Sequence, residues 1–238
     1  MKYRNIMLLA VLILMPAFSF AQNYSNGAGN LTSNEPWLAG ISAEDVRVVS
    51  YLTGFSFGQY IKGNDMGALY IDQIVKGIKD AVAGIEVDEE IFYQKMNEYM
   101  EKRQSARLES NKAEADNFFK ANAQNYGVVT TSSGLQYKII RQGNGIKPGP
   151  KDTVEVNYEG KLLDGTTFDS SYERGESATF AVDQVIQGWS EGIQHCSEGG
   201  KIQLWIPAEL AYGDEGAGPK IGPGAALIFT VELVKVSK

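Results

Sequence analysis

Cysteine and histidine are almost missing from this 238-residue chain, which has one of each, Cys196 and His195. A single cysteine forms no internal disulfide, so it reads as a small buried apolar residue. A single histidine nearly excludes a histidine-ligated metal cluster. The two are sequence neighbours, and neighbours do not face each other on a helix or a strand, so they make no catalytic dyad. Positive charge is also short. Lys and Arg number 22 against 29 Asp and Glu, a net charge of −7. Nucleic acid and anionic membrane are poor partners for such a chain, because both are held by a Lys/Arg surplus. The glycine-rich runs at 216–218 and 222–224 lack a Gly-Lys-Ser/Thr ending, so they read as a flexible loop and not as a phosphate cradle. The apolar run at 6–15 is too short to span a bilayer comfortably.

That run follows Lys2 and Arg4 and precedes Ser19-Phe20-Ala21, a small-x-small cleavage pattern, so residues 1–21 are expected to be a secretory signal. No cysteine stands at the cleavage site, and lipid attachment is not expected. Removing 1–21 takes away two basic residues and no acid, leaving 20 against 29, or −9. Residues 22–40, rich in Asn, Ser and Gly, are expected to be a disordered leader. The reading is of an exported protein with no membrane contact after cleavage.

From residue 41 to 126 the pattern is helical. Ser42 and Asp45 are spaced as a capping box. Val48, Val49, Leu52, Phe55, Tyr60 and Ile61 then recur at helical spacing, with Gly54 and Gly58 between them. A second segment spans about 71–83, its stripe formed by Ile71, Ile74, Val75, Ile78 and Val82, and Gly84 stops it. A third meets no Pro or Gly from Asp88 until Gly127, and would be about 58 Å long if helical throughout. Its first half carries Ile91, Phe92, Met96, Tyr99 and Met100. Its middle, 101–117, has only Leu108 as a large aliphatic and reads as a solvated rod. So few helices cover their own apolar faces poorly, and a partner chain is the natural remedy.

From 127 to 238 the period changes to two. Val154, Val156 and Tyr158 alternate with polar residues, Asp164-Gly165 supplies a hairpin turn, and Ile202, Leu204, Ile206 and then Leu227, Phe229, Val231, Leu233 alternate again. The stretch Val185-Ile186-Gln187-Gly188-Trp189-Ser190-Glu191-Gly192 is expected to open a short helix. An antiparallel sheet wrapped on that helix is an α+β arrangement. Tyr158, Phe168, Tyr212 and Phe229 come from separate segments and can gather around Trp189, with the carboxylate of Asp169 among them. This is the pattern of an apolar binding pocket with a few polar fixtures.

Six segments in order, 156–160, 164–171, 185–189, Ile206-Pro207, Ala211-Tyr212-Gly213 and 227–233, resemble the FK506-binding-protein (FKBP) family of peptidyl-prolyl isomerases. The helical half, in Tyr51-Leu-Thr-Gly-Phe-Ser-Phe-Gly58 and Gly77-Ile-Lys-Asp-Ala81, resembles its exported dimeric type, typified by macrophage infectivity potentiator. The resemblance implies a C-terminal half-barrel sheet on a short helix, preceded by an all-α dimerisation module with a long stalk helix. It implies prolyl isomerisation with no cofactor and no metal, unfolded or proline-containing polypeptides as substrates, a homodimer, and macrolides as possible inhibitors. By the same resemblance Tyr158, Phe168, Asp169, Ile186, Trp189, Tyr212 and Phe229 are the catalytic set, and Val185, Arg174 and Ile221 contact substrate. Trp189 would lie beneath the prolyl ring, Ile186 would offer its amide and Tyr212 its hydroxyl, and Arg174 would pair with Asp169. Ala178 stands where an aromatic wall is frequent, which opens one side, and the 214–223 loop departs from the usual pattern. A binding protein or chaperone with an incidental isomerase pocket is the alternative.

Overall fold

The computed structural model describes residues 41–64 and 66–238. The expected signal at 1–21 and leader at 22–40 lie outside the described residues. Two compact units emerge. One runs to Tyr60 and takes in Gly67–Asp88; the other comprises Ile61–Met66 and Glu89–Lys238.

In the first unit α1 (Ala43–Gly63) starts on a reciprocal capping box. The Asp45 amide donates to Ser42 Oγ at 3.1 Å, and the Ser42 amide donates to Asp45 Oδ2 at 2.8 Å. Helix α2 (Ile71–Val82) ends where Gly84 enters the left-handed region at φ 76°, with the Ile85 amide reaching back to the Asp80 carbonyl. A β-carbon disfavours that backbone conformation, hence the glycine. Neither helix buries a single residue. Tyr51, Leu52 and Phe55 of α1 are 70%, 52% and 53% exposed, and Ile71, Val75, Ile78 and Val82 of α2 are exposed as well.

The second unit begins with α3 (Glu89–Asn122), whose 34 residues span about 51 Å. Seven strands follow: β1 (Val129–Thr130), β2 (Gln136–Arg141), β3 (Thr153–Leu162), β4 (Thr167–Ser170), β5 (Ala178–Ala181), β6 (Lys201–Ile206) and β7 (Leu227–Ser237). Two short helices are interposed, α4 (Ser171–Arg174) and α5 (Gln187–Ile193). The sheet is antiparallel in the order β1-β2-β6-β7-β3-β4, and β5 also pairs with β3. Asp164-Gly165 makes the β3–β4 turn: Gly165 has φ 86°, and the Thr166 amide donates to Asp164 Oδ1 at 2.8 Å.

One face of the sheet is dry. Val154 and Val156 of β3, Ile202, Leu204 and Ile206 of β6, and Leu227, Val231 and Leu233 of β7 are fully buried, as the period-two alternation requires. Helix α5 covers that face closely. A β-carbon at Gly188 would collide with the Ile206 side chain, and one at Gly192 would stand 2.6 Å from Leu204 Cδ2. Two glycines one turn apart therefore let α5 settle on β6 and carry Trp189 into the interior. Cys196 is buried beside them, and burial pushes its thiol up to about 11, so it is an inert core residue.

The second half of α3 is not a solvated rod. Ala115 and Asn122 are buried, and Arg107, Leu108 and Asn111 are half-buried. Asn111 Nδ2 donates to the Pro223 carbonyl at 2.8 Å, Lys112 pairs with Asp214 at 2.8 Å, and Leu108 lies against Gly224. Nearer its end, Asn122 Nδ2 donates to Gln136 Oε1 at 2.8 Å, and Gln136 Nε2 donates to the Phe119 carbonyl at 2.9 Å. Small and polar residues make this contact, which is why counting large apolar residues missed it.

Candidate active site

The pocket is assembled from six segments that meet over the middle of the sheet. Strand β3 supplies Tyr158, β4 supplies Phe168 and Asp169, β5 supplies Phe180, and β7 supplies Phe229. The approach to α5 supplies Gln184, Val185 and Ile186, the helix supplies Trp189, and Tyr212 follows a short 3-10 turn at Ala208–Leu210. They enclose a cavity of about 470 Å³. Register explains the convergence. Gly160 pairs with Phe229 and Tyr158 with Val231 across β3–β7, and Leu204 pairs with Phe229 across β6–β7.

Trp189 is the floor, 4% exposed. Tyr158, Phe180 and Phe229 each meet it edge to face, at ring-centroid distances of 5.6, 5.6 and 5.7 Å and interplanar angles of 83°, 78° and 83°. Phe168 abuts Phe229 in the same manner at 5.5 Å. Edge-to-face pairs contribute about 0.5–1.5 kcal/mol each beyond area burial, and they fix the rings as a rigid wall. The Trp189 indole N–H is buried without an acceptor among the described residues. An unmet donor costs on the order of 1–3 kcal/mol, which the surrounding packing must outweigh.

One edge is polar. Tyr158 donates its hydroxyl to Asp169 Oδ2, Arg174 pairs with Asp169 Oδ1, and Arg174 also reaches the Tyr158 hydroxyl at 2.9 Å. Burial works to raise the Asp169 carboxyl, but hydrogen bonds from Tyr158 and Arg174, with the Arg174 charge, hold it below the ordinary carboxylate value. Burial, then the hydrogen bond to Asp169, pushes the Tyr158 phenol above its ordinary value, so it stays protonated. Among the described residues the Ile186 amide and the Tyr212 hydroxyl have no protein partner. Both are available to a ligand.

The structure gathers Tyr158, Phe168, Asp169, Val185, Ile186, Trp189, Tyr212 and Phe229 around one cavity. Arg174 stands behind the wall and acts on the pocket through Asp169 and Tyr158. Ile221 is elsewhere. It is buried in the core and faces a second cleft, of about 520 Å³, with Met100, Arg103, Arg107 and Pro223. The displacement follows from an antiparallel bridge between Ala217 and Ile221, which folds the loop back on itself. Ala178 does not line the cavity either. The aromatic on that side is Phe180, two residues further along β5.

Phe180, Gln184 and Gly160 escaped the sequence reading. Phe180 was visible as an apolar residue two places beyond Ala178. Gly160 had no signal of its own, yet a β-carbon there would stand 2.7 Å from the Phe168 ring and 2.8 Å from the Phe229 ring. It is the gap that lets the two rings meet. His195 lies outside the pocket, stacked on Tyr137 at 4.3 Å and 9°.

Residues 144–234 match the family described as FKBP-type peptidyl-prolyl cis-trans isomerase, and residues 47–139 match the domain amino terminal to it. A probable FKBP-type peptidyl-prolyl cis-trans isomerase, FkpA, of Neisseria meningitidis is 41% identical over 79% of this chain and 73% of its own length. The outer membrane protein MIP of Legionella longbeachae is 39% identical, with 80% and 85% covered. The crystal structure of FkpA from Escherichia coli superposes with a TM-score of 0.64 at 38% identity, covering 81% of this chain and 97% of that one.

Proposed function

The chain belongs to the FKBP-type peptidyl-prolyl cis–trans isomerases, and from that premise we propose that the ring-lined cavity over Trp189 is where the X–Pro bond turns. The observation that carries this is the three-way edge-to-face packing on Trp189, which makes a dry, rigid slot beside two unpartnered donors.

Rotation about an amide is opposed by resonance, with a barrier of about 18–20 kcal/mol. The ground state is polar and planar; the twisted state has lost its charge separation. An apolar slot that excludes water therefore favours the twisted state over the ground state. Lowering the barrier by about 5 kcal/mol gives several thousand-fold. No proton moves and no covalent bond forms, so the reaction asks for shape and a few fixed donors. Trp189 and the rings on it hold the prolyl ring. The Ile186 amide and the Tyr212 hydroxyl hold the carbonyls on either side. Asp169, kept ionised by Tyr158 and Arg174, sets the field at the mouth.

The substrates are polypeptides, and the reading that fits the leader is an isomerase assisting the folding of exported proteins. Residues 1–21 act as the signal, and the mature chain works in the periplasm or at the outer surface. No helix among the described residues is long and apolar enough to cross a membrane. The same chain works as a homodimer. The bare apolar stripes of α1 and α2 support this, since a second copy of the same stripes covers them.

The test is two-dimensional exchange NMR on a proline tetrapeptide with catalytic amounts of the mature chain. Cis–trans exchange rises with enzyme concentration, and Phe168→Ala and Trp189→Leu variants that remain folded lose at least about tenfold of it. Undiminished catalysis in both folded variants moves the reaction out of this cavity.

A further inference from the structure

Between the 3-10 turn at Ala208–Leu210 and β7, the chain makes a loop that is held at both ends. The Gly224 amide donates to the Gly213 carbonyl at 2.9 Å, and the Ala217–Ile221 bridge closes the middle. Helix α3 pins the outside through Lys112 on Asp214 and Asn111 on the Pro223 carbonyl. The loop begins with Tyr212, one wall of the cavity. Its tip carries Lys220, whose Nζ donates at 3.1 Å to the carbonyl of Phe168, another residue of the cavity lining. The Lys220 side chain thus straps the mouth of the cavity without lining it.

The charges around this strap are unequal. Asp169 is answered by Arg174, and Asp214 by Lys112. Lys220 rests on a neutral carbonyl and has no carboxylate partner among the described residues. A chain of net charge −7 therefore places an unanswered ammonium at the edge of its pocket, on a loop stiff enough to keep it there. For a peptide whose proline ring sits on Trp189, the residues flanking the proline would lie at that rim.

We propose that Lys220 is a specificity-determining residue, favouring proline peptides that carry a carboxylate beside the proline and disfavouring those that carry an ammonium there. This rests on the cavity being the prolyl site. At the distance of a neighbouring side chain, two charges in a watery rim attract by an amount equal to a few-fold in binding. Salt erodes that factor, because the screening length falls from about 20 Å in dilute buffer to a few ångströms near molar salt.

The experiment measures kcat/KM on tetrapeptides with Glu, Gln or Lys immediately before proline, and on a second set with them immediately after. It uses the full mature chain with Lys220, Lys220→Arg and Lys220→Met. The expected Glu-over-Lys ratio is about three to ten in at least one set at low salt. It persists in Lys220→Arg, shrinks by at least about half in Lys220→Met, and approaches one in about 0.5 M salt. A ratio unchanged in Lys220→Met, or lost in Lys220→Arg, overturns the assignment while leaving the prolyl site standing. No catalysis on any of the peptides overturns both.

Discussion

Strand β6 buries Ile202, Leu204 and Ile206 completely, whereas α1, equally well supplied with Tyr51, Leu52 and Phe55, buries nothing. The residue types are comparable and both patterns are periodic. The difference is closure. A sheet that curls onto α5 meets its own apolar face, so its sequence is sufficient for its core. Helices α1 and α2 meet no such layer among the described residues, and their stripes stay bare. Burial in the first case measures stability of the fold; exposure in the second marks the face on which the proposed homodimer rests.

The sharpest way to break this contrast is to charge the exposed stripe. Leu52→Asp with Phe55→Asp is expected to halve the mass seen by light scattering at micromolar concentration, while the melting of the sheet unit stays in place. A wild-type chain that is already monomeric removes the interface reading of α1. The same contrast predicts unequal truncations. Leu204→Ala leaves a cavity in a closed core and costs about 2–5 kcal/mol, lowering that unit's melting on the order of 10 °C by calorimetry. Val75→Ala in α2 leaves the same transition unmoved.

A smaller effect sharpens the account of how the pocket floor is placed. Gly188→Ala forces a β-carbon onto Ile206, and overpacking of this kind costs about 1–3 kcal/mol. Because Trp189 follows directly, the variant is expected to lose turnover as well as stability, measured as the tetrapeptide rate at a temperature where it is fully folded. Ordinary turnover in a destabilised Gly188→Ala separates α5 placement from catalysis.

The smallest expected effect is that of pH. Asp169 is held below its ordinary value in the folded chain, so its contribution is complete above an ordinary Asp pKa of about 3.9 and is lost only as pH falls through the lowered value. Tyr158, pushed above its ordinary value, stays neutral until pH passes about 10. Turnover is therefore expected to be flat from about 5.5 to 8.5 on a non-ionisable peptide. A steep limb near neutrality that vanishes in His195→Gln replaces bond twisting with acid catalysis.

Particular residues show where sequence was legible. Alternation in β3, β6 and β7, the Ser42–Asp45 box and the Gly84 stop are local rules, and each appears where its rule puts it. The rings around Trp189 could be named from their segments because strand register carries them together. The docking of α3 could not, since Asn111, Lys112 and Ala115 have no hydrophobic period. Ile221 was misplaced because the bridge to Ala217 turns the loop, and a loop's path is not written in its composition. Gly160 meets the Phe168 and Phe229 rings and Lys220 meets the Phe168 carbonyl, contacts whose distances only the folded chain sets.

The central claim is that catalysis belongs to the ring-lined cavity and assembly to the bare helices. Tetrapeptide exchange measured on two folded variants tests it directly. Leu52→Asp with Phe55→Asp should keep the wild-type rate per chain, and Trp189→Leu should fall at least about tenfold below it. A rate that falls in the α1 variant and survives in Trp189→Leu would contradict the account.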